Sequence, residues 1–268
     1  MIHVSVRAAE GRLLFRDWTE AGELWDRLTG ALQFRGLSLM PSHVHGGLPS
    51  PQPGRLAAAL NGYAQWRNRR RGESGPVWEH RSRPTSVRGP RHEERTLRYI
   101  ALNPCRDRLV DDPLAWPFSS YRDMLGLAAF PVCRPVDDPE RLHAYVSADS
   151  TVSLVGTKLP LERTDRPPTL GEVRAAVSAL TRTTDAGLLR RGRGRSLLLR
   201  SSRALTRATQ DEIAAATGVH PATVARASAE ADRLVRLVQR VAGDPRFALL
   251  RDGDLRADPA WRMYSHLT

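Results

Sequence analysis

The sequence predicts an α+β protein in which a sheet domain is followed by an all-α domain. Two observations lead to this prediction. In the first half, short apolar stretches with strand periodicity alternate with longer stretches of helical periodicity. Beyond a proline-rich segment, only stretches of helical periodicity follow. The predicted limits are 1–126 for the sheet domain, 127–168 for a linker, 169–243 for the helical domain and 244–268 for a tail.

The predicted elements of the first domain follow the order β-α-β-β-α-β-α. Four strands are expected, at 1–8, 37–40, 43–48 and within 77–87. Three helices are expected, at 18–34, 54–71 and 93–103. Pro104 is expected to end the third helix, because proline cannot donate the next backbone hydrogen bond. This order is that of a ferredoxin-like sheet with helices on one face.

The second domain is predicted to contain a helix-turn-helix. Its first helix is expected to begin after Thr169, with Glu172 at the capping-box position. A basic turn follows at 190–195. Further helices are expected at 197–207, 209–217, 221–226 and after Glu230. The glycine turn at Gly218, followed by a helix that Pro221 opens, is typical of a helix-turn-helix.

The charge of the chain favours a polyanionic partner. The formal net charge is +12, and Lys158 is the only lysine among the basic residues. Arginine forks match phosphate well. No long apolar run or amphipathic anchor is visible, so no membrane partner is expected. The first residues lack the pattern of a secretory signal, and Cys105 and Cys133 have neither a disulfide framework nor zinc spacing. We therefore expect a cytoplasmic protein.

A pair of histidines, His43 and His45, is the first candidate for chemistry. Side chains alternate across a strand, so both imidazoles are expected on one face. From there they can reach one divalent cation. Histidines at such spacing are also common as ordinary surface or partly buried residues, so the pair alone leaves both interpretations open.

Tyr99 and Asn103 form the second candidate pair. They lie four residues apart, which places both side chains on one helix face. A tyrosine on such a helix is usually a packing residue. Combined with the two histidines, an amide oxygen can be a third ligand to Mg²⁺ or Mn²⁺. The metal would withdraw charge from a phosphodiester, and Tyr99 would attack phosphorus to give a 5′-phosphotyrosine and a free 3′-hydroxyl.

Four elements of the first domain resemble the REP-associated tyrosine transposases, which are single-tyrosine HUH transposases of the IS200-like superfamily. Met40 to His45 resembles their Met-Pro-Asn-His-Val-His motif, and Arg98 to Pro104 resembles their Arg-Tyr-Ile-x-x-Asn-Pro motif. Gly75 to Arg81 resembles a Gly-x-x-Trp-x-x-Arg element. Trp116 to Tyr121 resembles the Trp-Ser-Ser-Tyr ending, and is expected to pack onto the sheet domain.

The chain departs from this family pattern at three places. Ser42 replaces an asparagine or aspartate, and Asp107-Arg108 replaces an Ala-Gly pair. Gly46 and Gly47 stand where the family has bulky aliphatic residues. These glycines are expected to loosen the packing of the strand.

The resemblance implies roles for individual residues. His43 and His45 would be metal ligands, Tyr99 the nucleophile and Asn103 an auxiliary ligand of Mg²⁺ or Mn²⁺. It also implies a homodimer that acts on single-stranded DNA hairpins and is associated with the bacterial nucleoid. Arg81 is a candidate contact to a DNA phosphate, and a solvated arginine is the alternative.

Residues 190–227 resemble the DNA-binding domain of the bacterial replication initiator. This resemblance implies that the second helix enters the major groove of duplex DNA, with His220 and Thr223 near bases or phosphates. Three arginines would contact the backbone or the minor groove: Arg191, Arg193 and Arg195. The alternative is a small helical bundle that mediates dimerisation.

Taken together, the sequence predicts a DNA strand transferase that cleaves and rejoins single strands through a phosphotyrosine. Two alternatives stay open. One is a catalytically inactive DNA-binding regulator derived from such a transposase, which binds duplex DNA without a covalent adduct. The other is a metal-dependent hydrolase in which Tyr99 is structural, which leaves a product with no protein attached.

Overall fold

The computed structural model describes residues 1–9, 12–79, 84–152 and 167–247. They divide into two compact units, the first within 1–152 and the second within 167–247. The first contains the sheet and the second contains only helices. This arrangement confirms the α+β class.

Four strands of the first unit form one antiparallel sheet, in the order β2-β3-β1-β4. The strands are β1 (Ile2–Arg7), β2 (Gly36–Leu39), β3 (His43–Leu48) and β4 (Thr85–Ser86). The first three agree with the predicted strands to within about two residues at either end. The fourth covers only two residues of the predicted 77–87 stretch, and near its start Trp78 makes an isolated bridge to Ala8.

The described residues of the first unit also contain five helices: α1 (Trp18–Ala31), α2 (Pro53–Arg71), α3 (Pro90–Arg106), α4 (Tyr121–Met124) and α5 (Pro139–Ser147). Asp17 caps α1, because its carboxylate accepts a hydrogen bond from the Glu20 backbone N–H. Gly72 ends α2 in the left-handed conformation at φ 64°. Pro53 and Pro90 open their helices, where the missing N–H has no helical partner to lose.

Helix α3 packs on the sheet face that carries the odd-numbered residues of β3. A Cβ placed on Gly36 would lie 2.9 Å from Leu97 Cδ2, and one on Gly47 would lie 3.6 Å from Ile100 Cδ1. Gly46 points to the other face, where a Cβ would lie 2.8 Å from Phe34 Cε1. The expectation of a loosened strand is therefore wrong, because neighbouring side chains fill the space at both glycines.

Both faces of the sheet are covered, rather than one as predicted. On the face opposite α3, the strand side chains of Val4, Leu37, Leu39 and Val44 are buried. Because adjacent strand residues point to opposite sides of the sheet, these apolar side chains must be covered by structure other than α3. The predicted aromatic packing is confirmed: Trp18 lies 5.5 Å from Phe118 and 5.8 Å from Trp116 between ring centroids.

Two predicted boundaries are wrong. Pro104 does not end α3, which continues to Arg106. Proline here removes only one hydrogen-bond donor of the last turn, and the Leu109 backbone N–H bonds to the Pro104 carbonyl oxygen. The linker predicted at 127–168 begins with ordered structure, because α5 packs against α3. Leu142 and Val146 of α5 join a buried cluster with Leu97.

Within 167–247, the described part of the second unit, the structure has six helices: α6 (Leu170–Thr181), α7 (Asp185–Leu188), α8 (Arg193–Leu205), α9 (Gln210–Thr217), α10 (Pro221–Arg226) and α11 (Arg233–Ala242). Thr169 caps α6 through a capping box with Glu172, as predicted. Thr209 and Glu212 form a second capping box at α9. Gly218 ends α9 at φ 66°, so the glycine turn between α9 and α10 lies where it was predicted.

The buried side chains of α8, α9 and α10 pack together in the second unit. Leu199, Ile213, Ala214 and Val224 form one buried cluster. The predicted basic turn at 190–195 differs in its second half, where Arg193 already begins α8. None of the helices that the structure describes is long and apolar enough to span a membrane.

Candidate active site

His43 and His45 lie on the face of β3 that α3 covers, with their ring centroids 4.7 Å apart. Their rings are nearly perpendicular, at 80°. The side chains are buried, with 9% and 3% of their surface exposed. The prediction that the strand brings both imidazoles to one face is thus borne out by the geometry.

Asn103 lies beside this pair, and its amide is oriented by the helix. The amide Nδ2 donates a hydrogen bond of 2.7 Å to the backbone carbonyl oxygen of Tyr99. The same side chain hydrogen-bonds to His43 and raises the pKa of that histidine, against the effect of burial. On the other side of His43, the Ser42 hydroxyl lies 3.0 Å from Nδ1.

Tyr99 extends from α3 over the second histidine. Its phenol oxygen lies 3.5 Å from Nε2 of His45, and the two ring centroids are 5.0 Å apart. The side chain is 37% exposed, which is unusual for a large aromatic residue next to buried histidines. The phenol can therefore be reached from solvent while its ring is held by the protein.

Burial keeps the histidines neutral. Desolvation by burial lowers the pKa of His45 to about 3, and electrostatic interactions with His43, His3 and Arg7 add to this shift. Burial also lowers the pKa of His43, although the Asp107 carboxylate and the Asn103 amide oppose the shift. Neutral imidazoles are the form that binds metal ions.

His3 is a site residue that sequence reasoning missed. Its ring stacks on His45 at 5.4 Å between centroids and meets the edge of the Tyr99 ring at 5.9 Å. The β1–β3 register explains this position, because Ser5 pairs with His45 and His3 lies two residues further along the same face. An alternation of His3 with apolar neighbours is visible in the sequence, but the strand pairing is not.

The residues present fit a divalent cation. No cluster of three or more histidine, cysteine or carboxylate side chains is arranged for a metal in the part of the chain described. A ligand set would therefore consist of two imidazoles and the Asn103 amide oxygen, with open positions for phosphate oxygens. Within the described residues, the buried Nδ1 of His45 has no hydrogen-bond partner, as expected of a ring nitrogen that awaits a ligand.

The remaining predicted site residues are Arg81 and five residues of the second unit. Arg81 lies outside the described residues. In the second unit, Arg191 and Arg193 are exposed, and Arg195 donates a hydrogen bond to the Leu189 carbonyl oxygen at 3.2 Å. This hydrogen bond joins the Arg195 guanidinium to the C-cap residue of α7.

The two predicted residues of α10 lie at its start. His220 is exposed and caps the helix, since its Nδ1 accepts a hydrogen bond from the Ala222 backbone N–H at 3.2 Å. Thr223 is half-buried one turn further along. Because Nδ1 of His220 caps the helix, the Nε2 side of its ring remains available to a ligand.

Comparisons with known proteins give one distant likeness. No protein-family model matches the chain, and no curated protein matches it. A solved structure of a REP-associated tyrosine transposase bound to a REP hairpin is similar at 18% identity and a TM-score of 0.38. The match covers 58% of this chain and 92% of the other. The likeness is distant, so any functional argument rests on the residues of the site.

Proposed function

We propose that this protein cleaves and rejoins single-stranded DNA by transesterification, with Tyr99 as nucleophile and a divalent metal at His43 and His45. One observation carries the proposal. A solvent-accessible phenol lies 3.5 Å from a buried, neutral imidazole of a two-histidine cluster. A tyrosine that only packs in the core does not require a neutral imidazole beside its phenol oxygen. A tyrosine nucleophile that attacks phosphorus does require such a neighbour.

Each group of residues at the site would have a separate role in the reaction. His43, His45 and the Asn103 amide oxygen would hold Mg²⁺ or Mn²⁺, which supplies charge withdrawal from the scissile phosphate when bound. The β3 backbone and α3 fix these groups on rigid elements, so that the phosphate is oriented before reaction. Tyr99 would approach the phosphorus from α3 without a loop movement.

The proposed step balances without a co-reactant. A bond forms between Tyr99 Oη and phosphorus while the bond from phosphorus to the 3′-oxygen breaks. The phenol proton is lost, and one proton is taken up by the released 3′-oxygen. The product is a 5′-phosphotyrosine, and a second 3′-hydroxyl can reverse the step on a new strand. Since one phosphoester replaces another, cutting and joining need no ATP.

The remaining parts of the proposal concern the fold and the partners. The sheet order β2-β3-β1-β4 supports a ferredoxin-like HUH arrangement of the first unit. The capped helices α9 and α10 with their glycine turn support a helix-turn-helix that binds duplex DNA, and α8 supplies arginines near it in sequence. We propose that the protein works as a homodimer on hairpin DNA in the bacterial cytoplasm, associated with the nucleoid.

The decisive experiment looks for protein bound covalently to DNA. Purified protein is incubated with Mg²⁺ or Mn²⁺ and hairpin DNA from beside its own gene, labelled at the 3′ end because a 5′-phosphotyrosine retains the fragment that carries that end. The products are then resolved on a denaturing gel. The proposal expects a DNA label that migrates with protein, which Tyr99→Phe abolishes and EDTA prevents. Tyr145→Phe, which removes a different half-buried phenol, serves as the matched control and should retain the adduct.

The other outcomes identify the alternatives. Cleavage without an adduct, unchanged in Tyr99→Phe, would favour metal-dependent hydrolysis. Duplex DNA binding with neither cleavage nor adduct would favour a DNA-binding regulator. Either result would overturn the proposed strand transfer.

A further inference from the structure

Asp149 is held between two arginines of the helix that carries Tyr99. Its Oδ2 lies 3.2 Å from Nη2 of Arg98 and 3.2 Å from Nη2 of Arg106. Asp149 follows α5 in the chain, and α5 packs on α3 through buried side chains. One carboxylate oxygen therefore accepts from two guanidinium groups next to the candidate nucleophile.

Arg106 lies close to Tyr99, with its guanidinium carbon 5.5 Å from the centre of the Tyr99 ring. Arg98 shares the Asp149 oxygen with Arg106, and its guanidinium carbon lies 4.1 Å from the centre of the Tyr145 ring. Arg106 reaches back along the helix, the direction that helical side chains normally take. The Arg106 side chain is 38% exposed, whereas Asp149 is only 14% exposed. An incoming ligand can thus meet the Arg106 guanidinium and the Tyr99 phenol on one surface.

Asp149 is fixed in this position by its other oxygen. Oδ1 accepts hydrogen bonds from the Thr151 hydroxyl at 2.7 Å and from the Thr151 backbone N–H at 3.2 Å. The hydrogen bonds from Thr151 and Arg106 hold the pKa of Asp149 below its usual value, so the group is a carboxylate at neutral pH. An anion is thus held in place where two guanidinium groups converge.

We propose that Arg98 and Arg106 form a subsite for a DNA phosphate beside Tyr99, and that Asp149 occupies this subsite until DNA displaces it. Guanidinium groups bind carboxylate and phosphate oxygens with the same geometry, so a phosphodiester can take the place of the Asp149 carboxylate. The proposal rests on the proposed function for the identity of the ligand, a phosphodiester of single-stranded DNA. The subsite would place the phosphate neighbouring the one that Tyr99 attacks.

The subsite has a measurable consequence for DNA affinity. Asp149→Asn keeps an oxygen that can accept from Thr151 but removes the negative charge that competes for the arginines. Binding of fluorescein-labelled dT20 is measured by anisotropy at 150 mM salt, in the Tyr99→Phe background and without metal. We expect Asp149→Asn to bind about three- to fivefold more tightly than its parent.

Matched controls separate the subsite from general electrostatics. Glu140→Gln removes the same charge from an exposed position on α5 and should change affinity much less. Arg106→Gln should weaken binding and lower the salt slope by about 0.7, the value for one phosphate contact to a single strand. Arg134→Gln removes an exposed arginine elsewhere in the unit, and it should reduce both the DNA affinity and the salt slope less than Arg106→Gln does.

A double variant tests whether the two residues act through each other. If Asp149 competes for the arginines, Asp149→Asn should bring a smaller gain in affinity once Arg106 is glutamine, because only Arg98 is then left to be released. Inorganic phosphate at constant ionic strength should compete with dT20 more weakly in Arg106→Gln than in its parent, if the subsite takes phosphate oxygens. Equal effects of Asp149→Asn and Glu140→Gln, or of Arg106→Gln and Arg134→Gln, would overturn the proposal.

These measurements are independent of cleavage. If no covalent adduct forms but the affinity pattern holds, strand transfer fails and the phosphate subsite stands. If an adduct forms but Asp149→Asn and Glu140→Gln behave alike, the subsite fails and strand transfer stands. Circular dichroism shows whether each variant is folded. If Asp149→Asn does not fold, the arginine variants still test the subsite.

Discussion

The side-chain N–H of Asn103 donates a 2.7 Å hydrogen bond to the backbone carbonyl oxygen of Tyr99, one turn back in α3. The same side chain also hydrogen-bonds to His43. The helix thereby couples the position of the candidate nucleophile to the orientation of a candidate ligand. Both side chains move together if the helix turn is disturbed.

Loss of the Asn103 amide should weaken metal binding. Asn103→Ala removes the third candidate ligand and is expected to lower Mn²⁺ affinity about tenfold or more, as measured by isothermal titration calorimetry. Asn68→Ala serves as the control, because Asn68 makes a similar side-chain bond to the Gly75 carbonyl oxygen on an exposed surface. Equal Mn²⁺ affinity of the two variants would show that the amide is no ligand.

The stability of the metal-free protein should fall in mild acid. The pKa of His45 is about 3 in the folded chain and near 6.5 in the unfolded chain. The unfolded state therefore binds more protons between these values, so the free energy of unfolding decreases as pH falls below about 6.5. Burial of His3 and His43 acts in the same direction.

Thermal unfolding in EDTA at pH 7.5, 6.5 and 5.5 measures this effect. We expect the midpoint temperature to drop with pH, and to drop less in His45→Gln, which cannot be protonated. A midpoint that depends on pH equally in both proteins would exclude His45 as the source.

The two glycines of β3 should differ sharply in their tolerance of alanine. A Cβ at Gly46 would lie 2.8 Å from an edge atom of the Phe34 ring, which is rigid and buried. Gly46→Ala is expected to lower the free energy of unfolding by about 1–3 kcal/mol. At Gly47 the nearest atom is Met1 Sδ at 2.7 Å, part of a flexible side chain, so Gly47→Ala should cost less.

Urea unfolding of both variants tests this difference. Gly22→Ala is the control, since a Cβ there meets nothing within 4 Å inside α1. That substitution is expected to stabilise by about 0.5–1 kcal/mol, because alanine is the better helix former. An equal cost at Gly46 and Gly47 would mean that the strand yields at both positions.

The buried ion pair between α1 and α2 should contribute strongly to the stability of the first unit. Arg71 Nη2 lies 2.5 Å from Oε2 of Glu20, with side chains only 6% and 3% exposed. Arg71→Met leaves the Glu20 carboxylate buried without its closest cation and is expected to cost about 3 kcal/mol.

Urea unfolding again provides the measurement, with an exposed pair as reference. Glu23 and Arg27 lie 2.6 Å apart on α1, but both are about one-third exposed. Glu23→Gln should therefore cost no more than about 0.5 kcal/mol. A cost for Arg71→Met as small as this would indicate that Arg70, 3.9 Å from Glu20, replaces it.

Much of the first unit could be predicted because its signals are local. Side chains alternate along β3, so His43 and His45 lie on one face of the strand whichever strands it pairs with. The four-residue spacing likewise places Tyr99 and Asn103 on one face of α3. Capping at Thr169 and the turn at Gly218 likewise depend on neighbours within a few residues. The error in α5 arose where packing overrode a local signal, whereas Pro104 lies in the last turn of α3, where it removes only one hydrogen-bond donor.

The sequence by itself determined which groups share a strand face or a helix face, because those relations follow from backbone periodicity. Only the tertiary structure decided that α3 lies on the histidine face, that His3 stacks on His45, and that Asp149 lies between Arg98 and Arg106. These relations join residues that are far apart in the chain, by 54 positions for His45 and Tyr99 and by 51 for Arg98 and Asp149. They depend on strand register and on helix packing, which arise from the burial of many side chains at once rather than from any local pattern.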